Sequence, residues 1–295
     1  MTCEDTTAGI RPAPVAQIRW QHLKERMAAF PWWLAAILAI VAATAMVIAT
    51  RPNFQEAFLF IRAGLGLTVS TTLVAYLIAL AIGLMVGLGR ISSSVVSRNI
   101  STLYVEVVRG IPMLVLIFTI ALVLVPVVVD GLNALGGWLN AQGLGALGAP
   151  LTAMQNKAVP MNLRAIIALS ITYGAFLAEI FRAGIQSIGR GQMEAARSQG
   201  MTYWQAMRYI ILPQAVRNVL PALGNDFISM LKDSSLVSVL AVRDITQVAR
   251  LYAGQSFRYP ESYTTLAVMY LSMTVVLSML VKVLEKRYQQ DGHNG

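Results

Sequence analysis

Charged residues are missing from long stretches of this chain. Residues 31–50, 63–89, 110–129 and 262–281 contain none. Each of these runs reaches the roughly 18 to 20 apolar residues that a helix needs to cross the hydrocarbon of a bilayer. Two further runs, 162–187 and 212–231, are apolar with a few interruptions. The pattern therefore predicts six membrane helices, at about 31–50, 63–89, 101–129, 162–187, 212–231 and 262–284. Most charges within them sit near an end: Glu106, Arg109, Arg164, Arg217 and Lys282. Glu179, Arg182 and Asp226 lie deeper. The expected fold class is an all-α polytopic membrane bundle.

Composition agrees. The chain is 56% hydrophobic and 13% charged, against about 25% charged in a soluble domain. A net charge of +9 raises the question of nucleic acid. The cations, however, are scattered over short loops, span ends and tails, with no basic helix and no aromatic-interleaved patch. That distribution orients a membrane protein and does not bind nucleic acid. The tail before Pro31 carries Arg11, Arg19, Lys24 and Arg26, which predicts an uncleaved signal anchor at 31–50 with its N-terminus in the cytosol. Alternation then places 90–100, 188–211 and 285–295 inside, and 51–61, 130–161 and 232–261 outside. Arg51, Arg62, Lys157, Arg243, Arg250 and Arg258 run against this bias. The outer segment 130–161, with Pro150 and Pro160, reads as an insertion, and Ser234–Arg250 as a short outer helix.

Cys3, His22 and His293 all fall in the tails. They allow no disulfide within the chain and no Cys/His metal cluster, so no metal or cofactor is expected on it. Enzymes that work inside the membrane need paired carboxylates, Ser/His or a metal within the spans, and that set is missing. No Walker A pattern occurs and no internal repeat is visible. Gly83-x-x-x-Gly87 reads as a close helix contact.

The stretch 190–212 is polar between two spans. Met193–Ser198 has good helix formers, and Gly200 suits the left-handed residue that ends a helix. Thr202 with Gln205 forms a capping-box pattern that starts a second helix, and Pro213 suits the first turn of the next span. Ala195 and Ala196 leave a shallow surface, Tyr203, Trp204 and Met207 supply knobs, and Glu194 can cap or pair with Arg197. Docking of a partner and simple resting on headgroups both fit these residues.

Glu194-Ala195-Ala196, Gly200, Ile210 and Leu212-Pro213 stand at the spacing of the EAA loop, which this stretch resembles, of bacterial ABC-importer permeases. Residues 71–92, 104–118, 173–188 and 224–245 are similar to the polar amino-acid branch of that family. The resemblance covers 63–286, implying a type I permease domain with five core helices. Residues 1–30 and 287–295 would be cytosolic tails, and 31–50 an added helix. It implies coupling through Glu194, Ala195, Ala196, Gly200, Thr202, Leu212 and Pro213 to an ATPase subunit dimer that binds ATP and Mg. It further implies a second permease subunit, identical or paralogous, a soluble amino-acid-binding protein, and a bacterial inner membrane. Family members use the Glu of Ala178-Glu179-Ile180-Phe181-Arg182 near the substrate. The resemblance thus implies Glu179 as a ligand for an α-ammonium group, beside the alternative of an ion pair with Arg182. Arg109, before Gly110 and Pro112, is a substrate-carboxylate or gate contact, or a headgroup anchor. Asp226 is a substrate contact, or packing glue with Asn225. Ile111 and Leu116 replace the family's Thr and Gln, leaving fewer polar groups on that broken helix. The other class is an ion-coupled carrier or channel that works without an ATPase.

Overall fold

In the computed structural model, residues 32–290 are described. The tails expected to be cytosolic lie wholly or partly outside that range. The chain divides into two units, 1–47 and 48–295. The first is represented by most of α1 (Trp32–Thr50), whose 19 residues carry no charge. At about 1.5 Å per residue it is about as long as the hydrocarbon is thick.

In the second unit, α2 (Pro52–Ile61) begins with proline in the first turn, where its missing N–H leaves nothing unpaired. A 3-10 turn, Arg62–Gly64, leads straight into α3 (Leu65–Arg90). Of the segment expected outside, residues 52–61 are thus helical, and Pro52–Arg90 forms one apolar rod of 39 residues. Glu56 and Arg62 mark where the apolar run starts, but a charge does not end a helix.

The third expected span moves. α4 (Val95–Gly110) is capped by Ser94, whose hydroxyl accepts from the Ser97 N–H. It stops at Ile111 and Pro112, both extended, as Gly110 and Pro112 suggested. The apolar rod lies after that break: α5 (Met113–Phe118), a π-helical stretch Thr119–Leu124, and α6 (Val125–Ala141). It runs 29 residues, over 113–141 instead of 101–129. Much of the segment expected as an outer loop is therefore helix, and α7 (Gly145–Thr152) folds back on α6.

α8 (Met161–Gln186) is the centre of the bundle and packs on α3, α4, α5 and the later helix α11 (Leu212–Asp233). Lipid tails are as apolar as leucine, so close packing holds such helices together more than the hydrophobic effect does. Small residues allow it. A Cβ at Gly83 would come within 2.6 Å of the Leu177 Cβ, and one at Gly87 within 3.0 Å of the Phe181 Cβ.

After the polar segment comes α11 (Leu212–Asp233). Pro221, Arg217, Asn225 and Asp226 make it less apolar than the other expected spans. Asp244 then caps α12 (Ile245–Ser256), accepting from the Gln247 N–H at 2.8 Å. Burial pushes its carboxyl above the usual range, and bonds from Gln247 and Thr246 oppose the shift. The outer helix thus starts later than expected, after a 3-10 turn at Ser234–Leu240. α13 (Tyr259–Gln290) closes the fold. Among the described residues four helices are long and apolar enough to cross a membrane, α1 adds a shorter apolar stretch at Ala35–Thr50, and α11, expected as a fifth core span, falls short of that apolarity. The molecule is a polytopic helical membrane protein.

Candidate functional site

Local sequence builds the segment between α8 and α11. α9 (Arg190–Ser198) ends in two reversed bonds, Gly200 N–H to the Arg197 carbonyl at 3.0 Å and Met201 N–H to Ala196 at 3.2 Å. This is the Schellman pattern, and Gly200 takes the left-handed position with φ of +85°. Thr202 opens α10 (Tyr203–Ala206) through a reciprocal cap. Its hydroxyl accepts from Gln205 N–H at 3.3 Å, and the Gln205 side chain accepts from Thr202 N–H at 2.9 Å.

The second helix is not a separate element lying along the surface. It passes through a π stretch, Met207–Ile211, directly into α11. Pro213 explains the widening: it cannot donate to the Tyr209 carbonyl, and its ring crowds that group.

The underside of this turn is fixed to the bundle. Met207, Ile211 and Ala215 are buried with Ile185, and Leu88, Ile91 and Met193 pack around them. The outer side is open. Glu194, Ala195, Tyr203 and Tyr209 are exposed, and Trp204 is 76% exposed with its ring edge-on to Tyr203. Ala196 differs from expectation. It is 2% exposed and faces into the chain, so the close-approach surface has Ala195 alone. Met207 likewise packs inward instead of serving as a knob. Among the described residues no ion pair joins Glu194 to Arg197.

Glu179 sits in a cluster that three helices bring together. Arg90, the last residue of α3, donates to Glu179 at 2.5 Å and lies 3.7 Å from Glu106 on α4. Arg182 donates to both carboxylate oxygens, through Nε at 3.0 Å and through Nη2, and also to Gln186. Two guanidinium groups thus hold the carboxylate. The sequence pattern identified Arg182 as a partner, while Arg90 fell at the start of the inside segment 90–100 and was not singled out. Residues 89 apart meet only through the α3–α8 packing, so Arg90 carried no local signal.

Arg109 is exposed, its guanidinium 5.6 Å above the Phe176 ring, one turn before Glu179 on α8. Asp226 belongs to a different neighbourhood. It is half-buried on α11, with no hydrogen bond or ion pair among the described residues. Nearby, the Tyr173 hydroxyl donates to Asp233 at 2.7 Å and the Tyr76 hydroxyl to the Leu223 carbonyl at 2.6 Å. No hydrogen bond links Asp226 to Glu179 or Arg109. No group of three metal-ligating side chains occurs among the described residues.

Residues 79–290 match the family model of the binding-protein-dependent transport system inner membrane component. The chain belongs to this family. Among curated relatives of this permease, the probable glutamine ABC transporter permease protein GlnM of Bacillus subtilis strain 168 is 38% identical over 223 residues. That alignment covers 74% of this chain and 90% of the relative. The glutamine transport system permease protein GlnP of Escherichia coli K12 is 33% identical, covering 70% of this chain and 83% of its own. A solved amino acid ABC transporter, crystallised with histidines, superposes with a TM-score of 0.62 at 37% identity, covering 83% of this chain and 97% of that one. The inward-facing methionine transporter MetNI, at 18% identity and a TM-score of 0.58, shares the fold.

Proposed function

We propose that this permease carries an amino acid inward as the membrane subunit of an ATP-driven importer in a bacterial inner membrane. A soluble receptor delivers the cargo at the outer face. A separate ATPase dimer, holding ATP and Mg, docks on 190–213 from inside. A second permease subunit, a further copy or a paralogue, completes the pathway. One observation supports this reading most: a capped, left-handed turn presents Ala195, Tyr203 and Trp204 outward while its underside is locked to α3 and α8. A loop that only rests on headgroups has no need of such anchoring. Force applied at the exposed face would pass directly into the two helices that carry Arg90 and Glu179. The relatives named above are amino-acid permeases, which supports the cargo class.

Within the pathway, Glu179, Arg109 and Asp226 are the proposed substrate contacts. Glu179 meets an α-ammonium group only after Arg90 or Arg182 turns away, so substrate contact there belongs to another state of the cycle. Arg109 suits a carboxylate, and Asp226 is a carboxylate with no cation of its own.

The test is an Ala195→Trp variant. Ala195 is exposed, so the bundle should still fold. Tagged permease purified from its host membranes should bring down an ATPase subunit in the unaltered form and lose it, or its substrate-stimulated hydrolysis, in the variant. Equal ATPase recovery and equal hydrolysis from both would remove the docking role.

A further inference from the structure

Arg164 stands in the first turn of α8 and is only 6% exposed, yet among the described residues it has no carboxylate partner. Its guanidinium donates three bonds, all to backbone carbonyls. Nε reaches Val159 at 3.1 Å, Nη2 reaches Asn156 at 2.6 Å, and Nη1 reaches Ala121 at 2.9 Å. A cation in the first turn also faces the positive end of the helix dipole. Burial and dipole both oppose the placement, so the carbonyls must compensate for it.

The Ala121 carbonyl lies in the π stretch of the broken helix, and the sequence there leaves it open. In an α ladder the Val125 N–H would close on Ala121; in a π ladder residue 126 would. Val125 donates to Ile120 instead, and residue 126 is proline, which has no N–H. Ala121 is fully buried, so water does not serve it. The other two carbonyls, Asn156 and Val159, belong to the 3-10 turn and extended residue that lead into α8. One guanidinium therefore ties the π stretch, the entry loop and the first turn of α8 together.

We propose that Arg164 is a positioning residue for translocation. It supplies the bond that Pro126 withholds from the π stretch, and so fixes the outer half of the broken helix to α8, the helix that carries Glu179. The break at Gly110–Pro112 and the Arg164 brace bound a short segment, α5 with its π stretch. Displacement of that segment about the break passes to α8 through the guanidinium and is not lost in a loose turn. Pro126 and Arg164 form a matched pair: the proline opens a buried acceptor, and the arginine fills it.

The pairing can be read with the complete transporter carrying Arg164→Met, Pro126→Ala, or both. Hydrogen exchange at the Val125 amide should quicken about tenfold in Arg164→Met, because the π stretch loses its brace. Maximal uptake of a radiolabelled mixture of the common amino acids should fall by a similar factor with KM unchanged. In the double variant position 126 regains an N–H that can reach the Ala121 carbonyl, so protection should return and uptake recover to within about threefold. Equal losses with and without Pro126→Ala would overturn the pairing, and normal uptake by Arg164→Met would overturn the positioning role. If Arg164→Met does not accumulate, accumulation of the double variant supports the pair, and its failure overturns it. The uptake readout rests on the amino-acid reading. If the unaltered transporter takes up none of the mixture, that reading fails and ATP hydrolysis replaces uptake in the same comparison.

Discussion

The segment between α8 and α11 and the Arg90–Glu179–Arg182 cluster lie at the same end of the bundle but are held in opposite ways. The bonds that set the turn between α9 and α10 join residues within five positions of each other: Gly200 to Arg197, Met201 to Ala196, Thr202 with Gln205. The cluster depends on Arg90 and Glu179, 89 residues apart, and on Glu106 from a third helix. A locally built turn keeps its shape when the bundle around it moves. A cluster drawn from three helices reports how those helices sit. The difference suits a lever that must stay rigid and a gate that must rearrange.

Breaking the cluster should therefore have the largest effect. Glu179→Gln keeps the side chain's shape and leaves Arg90 and Arg182 without their shared carboxylate. A fully buried pair loses about 3–5 kcal/mol when one partner goes. These side chains are 14–29% exposed, so a cost of about 1–3 kcal/mol is expected, read as a lower unfolding midpoint of the purified complex. Uptake should be lost whether Glu179 meets substrate or only orders the helices. Arg90→Lys separates those roles. It retains the charge, so an ordering role should leave part of the uptake, and a variant as inactive as Glu179→Gln would show that guanidinium geometry matters. An unchanged midpoint and full uptake in Glu179→Gln would dissolve the comparison altogether.

The segment should answer more narrowly. Gly200 has open space where a Cβ would stand, and its cost of replacement is conformational, not steric. A β-branched residue at φ of +85° is strained by about 1–2 kcal/mol. Gly200→Val should therefore spoil the angle between α9 and α10 while the spans stay folded. The expected signature is normal membrane abundance with substrate-stimulated ATP hydrolysis reduced several-fold. Reduced abundance in step with hydrolysis would mean that the turn also helps the bundle to fold.

Legibility followed the same division. The left-handed glycine, the capping box and the proline after it were readable because each rests on side chains a few residues apart. The break at Gly110–Pro112 and the small-residue contact of Gly83 and Gly87 were readable for the same reason. Span boundaries were less so, since hydropathy marks where lipid begins and not where a helix ends: Glu56 lies inside a helix, and the third apolar rod runs on to Ala141. The inward turn of Ala196 was hidden because adjacent alanines look alike in sequence, while helix phase sends one outward and one inward. Arg164 was seen only as a span-end charge, and Arg90 was not singled out at all. Their partners are set by packing of distant helices, and for Arg164 by a carbonyl that no side-chain pattern can announce.

The smallest effect should come from Thr202. Its hydroxyl satisfies a single N–H of α10, and the return bond from Gln205 to the Thr202 N–H does not need that hydroxyl. Losing a Thr cap costs about 1 kcal/mol, and α10 is fastened below by Met207 and Ile211, both buried. Thr202→Ala should then loosen only the first turn of α10. Amide exchange at Gln205 should rise by about fivefold, with ATP hydrolysis and uptake within twofold of normal. Thr202→Ser should restore the protection, since it keeps the oxygen and drops only a methyl group. A Thr202→Ala variant as inactive as Gly200→Val would show that the cap, and not the left-handed turn, sets the attitude of the exposed face. Gly200 would then be a connector, and the rigidity assigned to the turn would belong to the start of α10.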